Sequence, residues 1–164
     1  MSIIDSTYEA VIAAPIGKLE LSISGDALLR LDFLASEVPE SLPSSPIVRA
    51  AFIQLQAYFS DPKAMFTLPL LPRGTPFQRR VWRALHAIPV GSTLTYGMLA
   101  SQLGTSARAI GGACRANPLP LFIPCHRVVS SQGLGGYSGT MGGSRLDIKD
   151  WLLRHEAENA GNKS

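Results

Sequence analysis

At 164 residues, with 46% hydrophobic content and a net charge of +3, the chain has the make-up of a globular protein rather than a disordered one. Its two cysteines, Cys114 and Cys125, fit neither a disulfide framework nor paired zinc spacing, and His86, His126 and His155 are scattered, so no metal and no other cofactor is expected. No apolar run approaches the roughly eighteen residues of a spanning helix, and Asp5 and Glu9 stand where a leader would be basic and apolar, so an intracellular, soluble protein is expected.

From Tyr8 to Leu34 polar and apolar residues alternate. Leu19, Leu21 and Ile23 share one face with Lys18, Glu20 and Ser22 on the other, and Leu29, Leu31 and Phe33 repeat the pattern. With turns at Pro15-Ile16-Gly17 and Ser24-Gly25-Asp26, residues 8–34 are predicted to form an antiparallel three-stranded meander. A Pro/Ser-rich loop follows, then a helix from Ile47 to Phe59 closed by Asp61-Pro62. This α+β unit carries no catalytic constellation, and Leu68 to Gly74 reads as a linker. The chain therefore divides into residues 1–72 and 73–164.

Thr75-Pro76-Phe77-Gln78 is a capping box, with Thr75 as the cap, Pro76 at the first helical position and Gln78 reaching back. The helix it opens, 76–87, is expected to bury Phe77, Val81, Trp82 and Leu85 and to expose Arg79, Arg80, Arg83 and His86. Thr95 caps a helix to Leu103 that Gly104 ends, and another helix runs from Ala107 to about Ala116. Two short helices around a tight Gly turn form a helix-turn-helix pattern. A last helix spans Leu146 to Glu158.

Charge is divided unevenly along the chain. Residues 1–72 hold four Lys/Arg against eight Asp/Glu, whereas residues 73–164 hold eleven against four. Between Asp61 and Asp147 there is no carboxylate side chain, while Arg73, Arg79, Arg80, Arg83, Arg108, Arg115, Arg127 and Arg145 all fall in that window. Such a distribution attracts phosphate and points to nucleic acid. The helix from Ala107 is nearly bare of bulk, through Ala107, Ala109, Gly111, Gly112, Ala113 and Ala116. Each of the adjacent glycines weakens a helix by roughly 1 kcal/mol relative to alanine, so something approaches the backbone closely. Another helix is one candidate. The other is a DNA minor groove, which suits a thin helix with Arg108 near its start and Arg115 near its end.

Asn117-Pro118-Leu119-Pro120 leads from that helix into Ile123-Pro124-Cys125-His126-Arg127-Val128-Val129. A thiol reacts as thiolate, and cationic or proton-accepting neighbours lower its pKa from about 8.5. Cys125, flanked by His126 and Arg127, is therefore a candidate nucleophile whose neighbours favour ionisation. The Gly-rich stretch 130–139 lacks the lysine motif of a triphosphate loop.

These residues carry a family resemblance. From Thr75 to Glu156, about half of the chain, the sequence resembles the O6-alkylguanine-DNA alkyltransferases: Asn117-Pro118, Ile123 through Val129, Gly136-Tyr137-Ser138, and Trp151-Leu152-Leu153 with His155-Glu156 appear in that family's order. Residues 1–72 resemble its ribonuclease-H-like N-terminal domain in general layout. The resemblance implies a two-domain α+β fold whose C-terminal part is mainly helical and winged helix-turn-helix-like, with the active site. It implies a DNA repair protein that binds double-stranded DNA in the minor groove, flips out an O6-alkylated guanine and transfers the alkyl group irreversibly to its own cysteine. Flipping agrees with the chemistry, because a carbon on O6 lies inside the base stack.

By the same resemblance Cys125 is the acceptor, His126 the base acting through a water, Glu156 the carboxylate that orients His126, and Asn117 the brace of the active-site loop. Arg108 matches the arginine finger, and Tyr96 the tyrosine that rotates the 3′ phosphate and donates to guanine N3. Ala107, Gly111, Gly112 and Arg115 complete the expected DNA face. Main-chain carbonyls of Cys125 and Val128 are expected to read the guanine, with Tyr137, Ser138 and Lys149 near O6 and Pro120 walling the alkyl pocket. A monomer is expected, with cooperative assembly on DNA left open, in a prokaryotic cytoplasm or a eukaryotic nucleus.

Three departures stand out. The N-terminal half has no Cys/His set for a structural zinc, the stretch from Ser138 to Trp151 is longer than in many relatives, and Cys114 stands where methionine is frequent. Two rival readings remain. A non-catalytic lesion binder of the alkyltransferase-like kind carries tryptophan in place of the cysteine, which Cys125 argues against. A thiol hydrolase built on Cys125 and His126 would turn over repeatedly.

Overall fold

The computed structural model describes residues 7–41, 45–135 and 144–160. The chain forms two compact units, Met1–Arg73 and Gly74–Ser164. In the first, β1 (Thr7–Ala14), β2 (Gly17–Ser24) and β3 (Ala27–Leu34) make an antiparallel meander in that order, and α1 (Pro46–Ser60) covers it. Val48, Ala51, Leu55 and Tyr58 recur every three or four positions and form the buried stripe of α1. Ser45 caps the helix by accepting from the Val48 amide at 3.2 Å.

The expected strict alternation breaks at two points, one between Tyr8 and Ala10 in β1 and one in β3. Ser22 pairs with Arg30 but Ile23 pairs with Leu28, so Leu29 is an extra residue in β3. A bulge of this kind rotates the side chains beyond it. Leu28 and Leu29 are accordingly both buried, Ser22 faces inward and Ile23 is only half-buried. The predicted linker also does more than connect: the Leu28 amide donates to the Pro69 carbonyl at 3.0 Å and the Leu71 amide to the Leu28 carbonyl at 2.8 Å, so Leu70 adds a parallel bridge to the edge of β3.

The second unit opens with α2 (Pro76–His86). Its capping box is reciprocal: the Gln78 amide donates to Thr75 Oγ1 at 3.0 Å and the Thr75 amide to Gln78 Oε1 at 2.9 Å. Val81, Trp82 and Leu85 are buried while Arg79, Arg80, Arg83 and His86 are exposed, and Phe77 is only half-buried. Helix α3 (Tyr96–Leu103) is capped by Thr95 and ends at Gly104, whose φ of 69° is the left-handed conformation a helix stop favours. Helix α4 (Ala107–Arg115) is capped by Ser106. It packs through Ile110, Ala113 and Cys114 against α2 and α3, and Trp82 Nε1 donates to the Ala113 carbonyl at 2.9 Å.

Two further pieces place the residues around Cys125. Strand β4 (Leu94–Thr95) pairs in parallel with β5 (Val128–Val129), which ties the start of α3 to the residues after Cys125. Helix α5 (Ser144–Ala160) then presents Ile148, Lys149, Leu152 and Glu156 inward, at spacings that share one helical face.

Gly74 is where the second unit tolerates no side chain. A Cβ there would lie 2.7 Å from Gln78 Oε1 and 2.8 Å from Trp82 Cζ3, and nearer still to Trp82 Cη2. The Trp82 ring is buried and held by its bond to Ala113, so it cannot swing away. Gly74→Ala is predicted to destabilise the protein by about 1–3 kcal/mol through overpacking. Urea unfolding measures this, and an unchanged midpoint would show that the capping box shifts freely.

Candidate active site and DNA-facing helix

The segment between α4 and Cys125 is held by one side chain. Asn117 Nδ2 donates to the Ile123 carbonyl at 2.9 Å while its Oδ1 accepts from the Leu119 amide at 2.9 Å, so the amide bridges both ends of the turn. Inside that bracket Ile123 N donates to the Leu119 carbonyl at 2.8 Å, and Leu121 adopts a φ of 77°. A branched, buried residue in the left-handed region costs roughly 1–2 kcal/mol, which the surrounding bonds must offset. From Pro118 to Val128 every residue is buried, Pro120 included.

Cys125, His126 and Arg127 form a single 3-10 turn, closed by the Val128 amide donating to the Cys125 carbonyl. Cys125 is 3% exposed. Burial pushes its thiol up to about 11, against the opposing pull of an Asn117 hydrogen bond and the Lys149 charge. Desolvation thus outweighs the polar neighbours and favours the protonated sulfur, from which a base must take the proton. Cys114, on the inner face of α4, is likewise pushed up to about 12 by burial.

His126 Nε2 lies 2.7 Å from Glu156 Oε2. Arg127 donates to the same carboxylate twice, Nε to Oε1 at 2.9 Å and Nη2 to Oε2 at 3.0 Å, and its Nη1 donates to the Ile88 carbonyl at 2.7 Å. His126 Nδ1 is buried and makes no hydrogen bond. Since a carboxylate only accepts, Nε2 carries a proton, and in the neutral ring Nδ1 then holds the lone pair. Arg127 is thus removed from the set of surface arginines that the charge distribution suggested. The motif that surrounds Cys125 gave no sign of it, because its partners come from residues 88 and 156.

Lys149 is fully buried, its Nζ donates to the Val128 carbonyl at 2.8 Å and lies 5.8 Å from the centre of the Tyr96 ring. Burial pulls its amine down to about 8. The carbonyls expected to read a guanine are both engaged once, Val128 by Lys149 and Cys125 by the Val128 amide. Each keeps a second acceptor lone pair. Tyr96, at the start of α3, packs on Gly135, where an added Cβ would come within 2.9 Å of the ring and φ is 76°. Tyr137 and Ser138 lie outside the described residues.

On α4, Ala107, Arg108 and Arg115 are exposed and Gly111 and Gly112 half-exposed. Cβ atoms built at the two glycines would meet only the Arg115 guanidinium, at 3.8 and 3.9 Å. Among the described residues no other helix packs on them, so the alternative of a close helix–helix contact falls away. Arg115 lies along that face. No group of three or more His, Cys, Asp or Glu among the described residues could hold a metal ion, and no helix there is long and apolar enough to cross a membrane.

Comparison with known proteins covers both units. Residues 7–72 match the family model of the 6-O-methylguanine DNA methyltransferase ribonuclease-like domain, and residues 76–158 that of its DNA binding domain. The methylated-DNA–protein-cysteine methyltransferase of Methanosarcina barkeri is 41% identical over 160 residues, 93% of this chain and 98% of that one. The constitutive protein of that name from Bacillus subtilis is 37% identical over 91% of this chain and 94% of its own. The Mycobacterium tuberculosis O6-methylguanine methyltransferase crystal structure is 36% identical with a TM-score of 0.79, covering 96% of this chain and 97% of that one. The M. tuberculosis OGT structure in complex with DNA gives 0.77 at the same identity, over 93% and 94%.

The buried ion cluster sets an acid limit on stability. Burial by itself would raise the Glu156 carboxyl, but hydrogen bonds from His126 and Arg127, with the Arg127 charge, outweigh it and hold the group below the ordinary carboxylate range. His126 is lowered, first by burial. Both shifts make the unfolded chain the stronger proton binder in acid. Their stabilisation is complete above about pH 6.5 and is lost as pH falls, through the histidine first and the carboxylate below about 4.5. Glu156→Ala is predicted to cost about 3–5 kcal/mol at neutral pH, the loss shrinking in acid. Urea unfolding across pH tests this; a deficit under about 1 kcal/mol at neutral pH would refute it.

Proposed function

The chain belongs to the 6-O-methylguanine DNA methyltransferase family, and from that membership we propose that Cys125 is its alkyl acceptor, used once per molecule on a guanine turned out of the duplex. Its activity is that of a methylated-DNA–protein-cysteine methyltransferase, repair of DNA by alkyl transfer, with DNA as partner.

The observation that carries the proposal is His126 Nδ1, buried without a hydrogen bond on the same turn as the Cys125 sulfur while Glu156 fixes the opposite nitrogen, so that the neutral ring can accept a proton there. In the reaction the thiol yields its proton to His126 through a water, and Glu156 balances the imidazolium that results. Sulfur forms a bond to the alkyl carbon as the carbon–O6 bond breaks, and the electron pair leaves on guanine. Lys149, fixed on the Val128 carbonyl and close enough for its charge to act on Cys125, neutralises that developing charge. The product is a thioether, which offers no leaving route, so each molecule acts once.

A sulfur this deeply buried cannot reach into a base stack, and so the base must come to it. Support for minor-groove docking comes from α4, whose Gly111 and Gly112 are covered only by the Arg115 guanidinium and whose Ala107 adds no bulk. Arg108, exposed on the first turn, occupies the gap left by the flipped base. Tyr96 and Asn117 act by position, the first beside Gly135 and the second within the turn before Cys125. Pro120, in the wall of that turn, bounds the alkyl group.

Intact-mass measurement after incubation with a duplex containing O6-methylguanine is predicted to show one added methyl group, mapped to Cys125 and absent in Cys125→Ser. Folded protein that gains no mass would refute the assignment, and several product molecules per protein would favour the thiol hydrolase. Arg108→Ala is predicted to slow reaction with duplex DNA by tenfold or more, about the few kcal/mol that unstacking demands, while reaction with free O6-benzylguanine changes little. Equal losses on both substrates would remove the finger role.

A further inference from the structure

Glu156 accepts from both His126 and Arg127, and of these two His126 belongs to the proton route proposed above. Glu156 Oε2 accepts from both residues, and its Oε1 accepts from Arg127. Arg127 is itself buried and anchored by a third bond to Ile88, just beyond the end of α2. A carboxylate paired only with histidine draws the imidazole toward its charged form, and a charged imidazole cannot take a proton from a thiol. With the guanidinium in a fork on the same carboxylate, the cluster is neutral in charge while His126 is neutral.

We propose that Arg127 is a positioning residue of the reaction: it clamps the Glu156 carboxylate and cancels its charge, so that His126 rests as a neutral base with its proton on Nε2. This rests on the reading of Cys125 as acceptor and His126 as base. The clamp and the charge are separable. The fork fixes where Oε2 stands, and hence which way the ring points, whereas the positive charge sets how readily the ring is protonated.

The surroundings of His126 agree. The titratable and charged groups facing the cluster are Glu156 and Lys149 from α5, Cys125 and Arg127 on its own turn, Cys114 from α4, and His86 at the end of α2. Glu156 is the carboxylate in that group. His86 is also disfavoured from charging, first by burial and then by Arg127, so the guanidinium field reaches that side of the cluster as well.

The test follows benzyl transfer from free O6-benzylguanine to Cys125 by mass under single-turnover conditions, between about pH 5.5 and 9, for wild type, Arg127→Gln and Arg127→Lys. Arg127→Gln removes the charge and is expected to move the acid limb of the profile up by about one pH unit, a loss of about tenfold on the limb that shrinks as pH rises. Arg127→Lys keeps the charge without the fork and is expected to leave the limb in place while lowering the rate at every pH. A folded Arg127→Gln protein with an unmoved limb, or one slowed equally at all pH values, overturns the proposal. Nitrogen chemical shifts of His126 in the wild type decide independently, even if the variants do not fold: a neutral ring protonated on Nε2 at pH near 7 supports it, and an imidazolium or an Nδ1 proton overturns it. Wild-type protein that takes no benzyl group on Cys125 would instead remove the underlying reading, without altering the histidine result.

Discussion

A single buried carboxylate organises the second unit. Glu156 enters from α5, a helix that begins nearly twenty residues after Cys125 in sequence. It gathers His126 and Arg127 from one turn, and Arg127 in turn holds the end of α2 through Ile88. An isolated charge at this depth would cost several kcal/mol, so these three residues are stable only together. The requirement is geometric as much as energetic. Three segments far apart in the chain must arrive at one point within hydrogen-bonding distance, and the turn that bears Cys125 is fixed as a consequence.

The same depth explains why the thiol is held in its neutral form. In water a cysteine beside a histidine and an arginine would ionise more easily, and the flanking residues alone suggest that it does so here. The protein interior reverses the sign. Arg127 spends its charge on Glu156 and His126 holds its proton on the side facing that carboxylate, so desolvation of the sulfur has little to oppose it. A protonated thiol is a poor nucleophile and a poor target for oxidants until a base takes its proton.

Much of this was legible in the sequence, and what was not has a common cause. Caps and stops are local chemistry, so Thr75 with Gln78, Thr95, Ser106 and Gly104 delimit their helices as their residue types require. The buried faces of α1 and α2 follow their period, except at Phe77. The bulge at Leu29, the bridge at Leu70 and the two-residue pair of β4 with β5 involve partners that no window of neighbouring residues contains. Arg127 is the same failure at the site: grouped with its charge-bearing neighbours it looks like a phosphate contact, and only the arrival of Glu156 shows where its guanidinium goes.

Helix α4 illustrates the opposite case, in which a local oddity carried information the fold alone would not supply. Glycine is unfavourable in a helix, and a protein tolerates two in succession where a neighbour presses against the backbone. Gly74 has such a neighbour in Trp82, whereas Gly111 and Gly112 have none but the side chain of Arg115. The two glycines therefore lower the stability of α4 without improving any contact inside the unit. That loss is accountable if the missing contact belongs to a complex, where a backbone free of side chains and a guanidinium lying along it can approach a phosphate-lined groove together. The buried ion cluster and the bare helix are thus joined by nine residues of tightly bonded chain, from Asn117 to Cys125, so that the position of α4 and that of the sulfur are tied through one hydrogen-bonded segment.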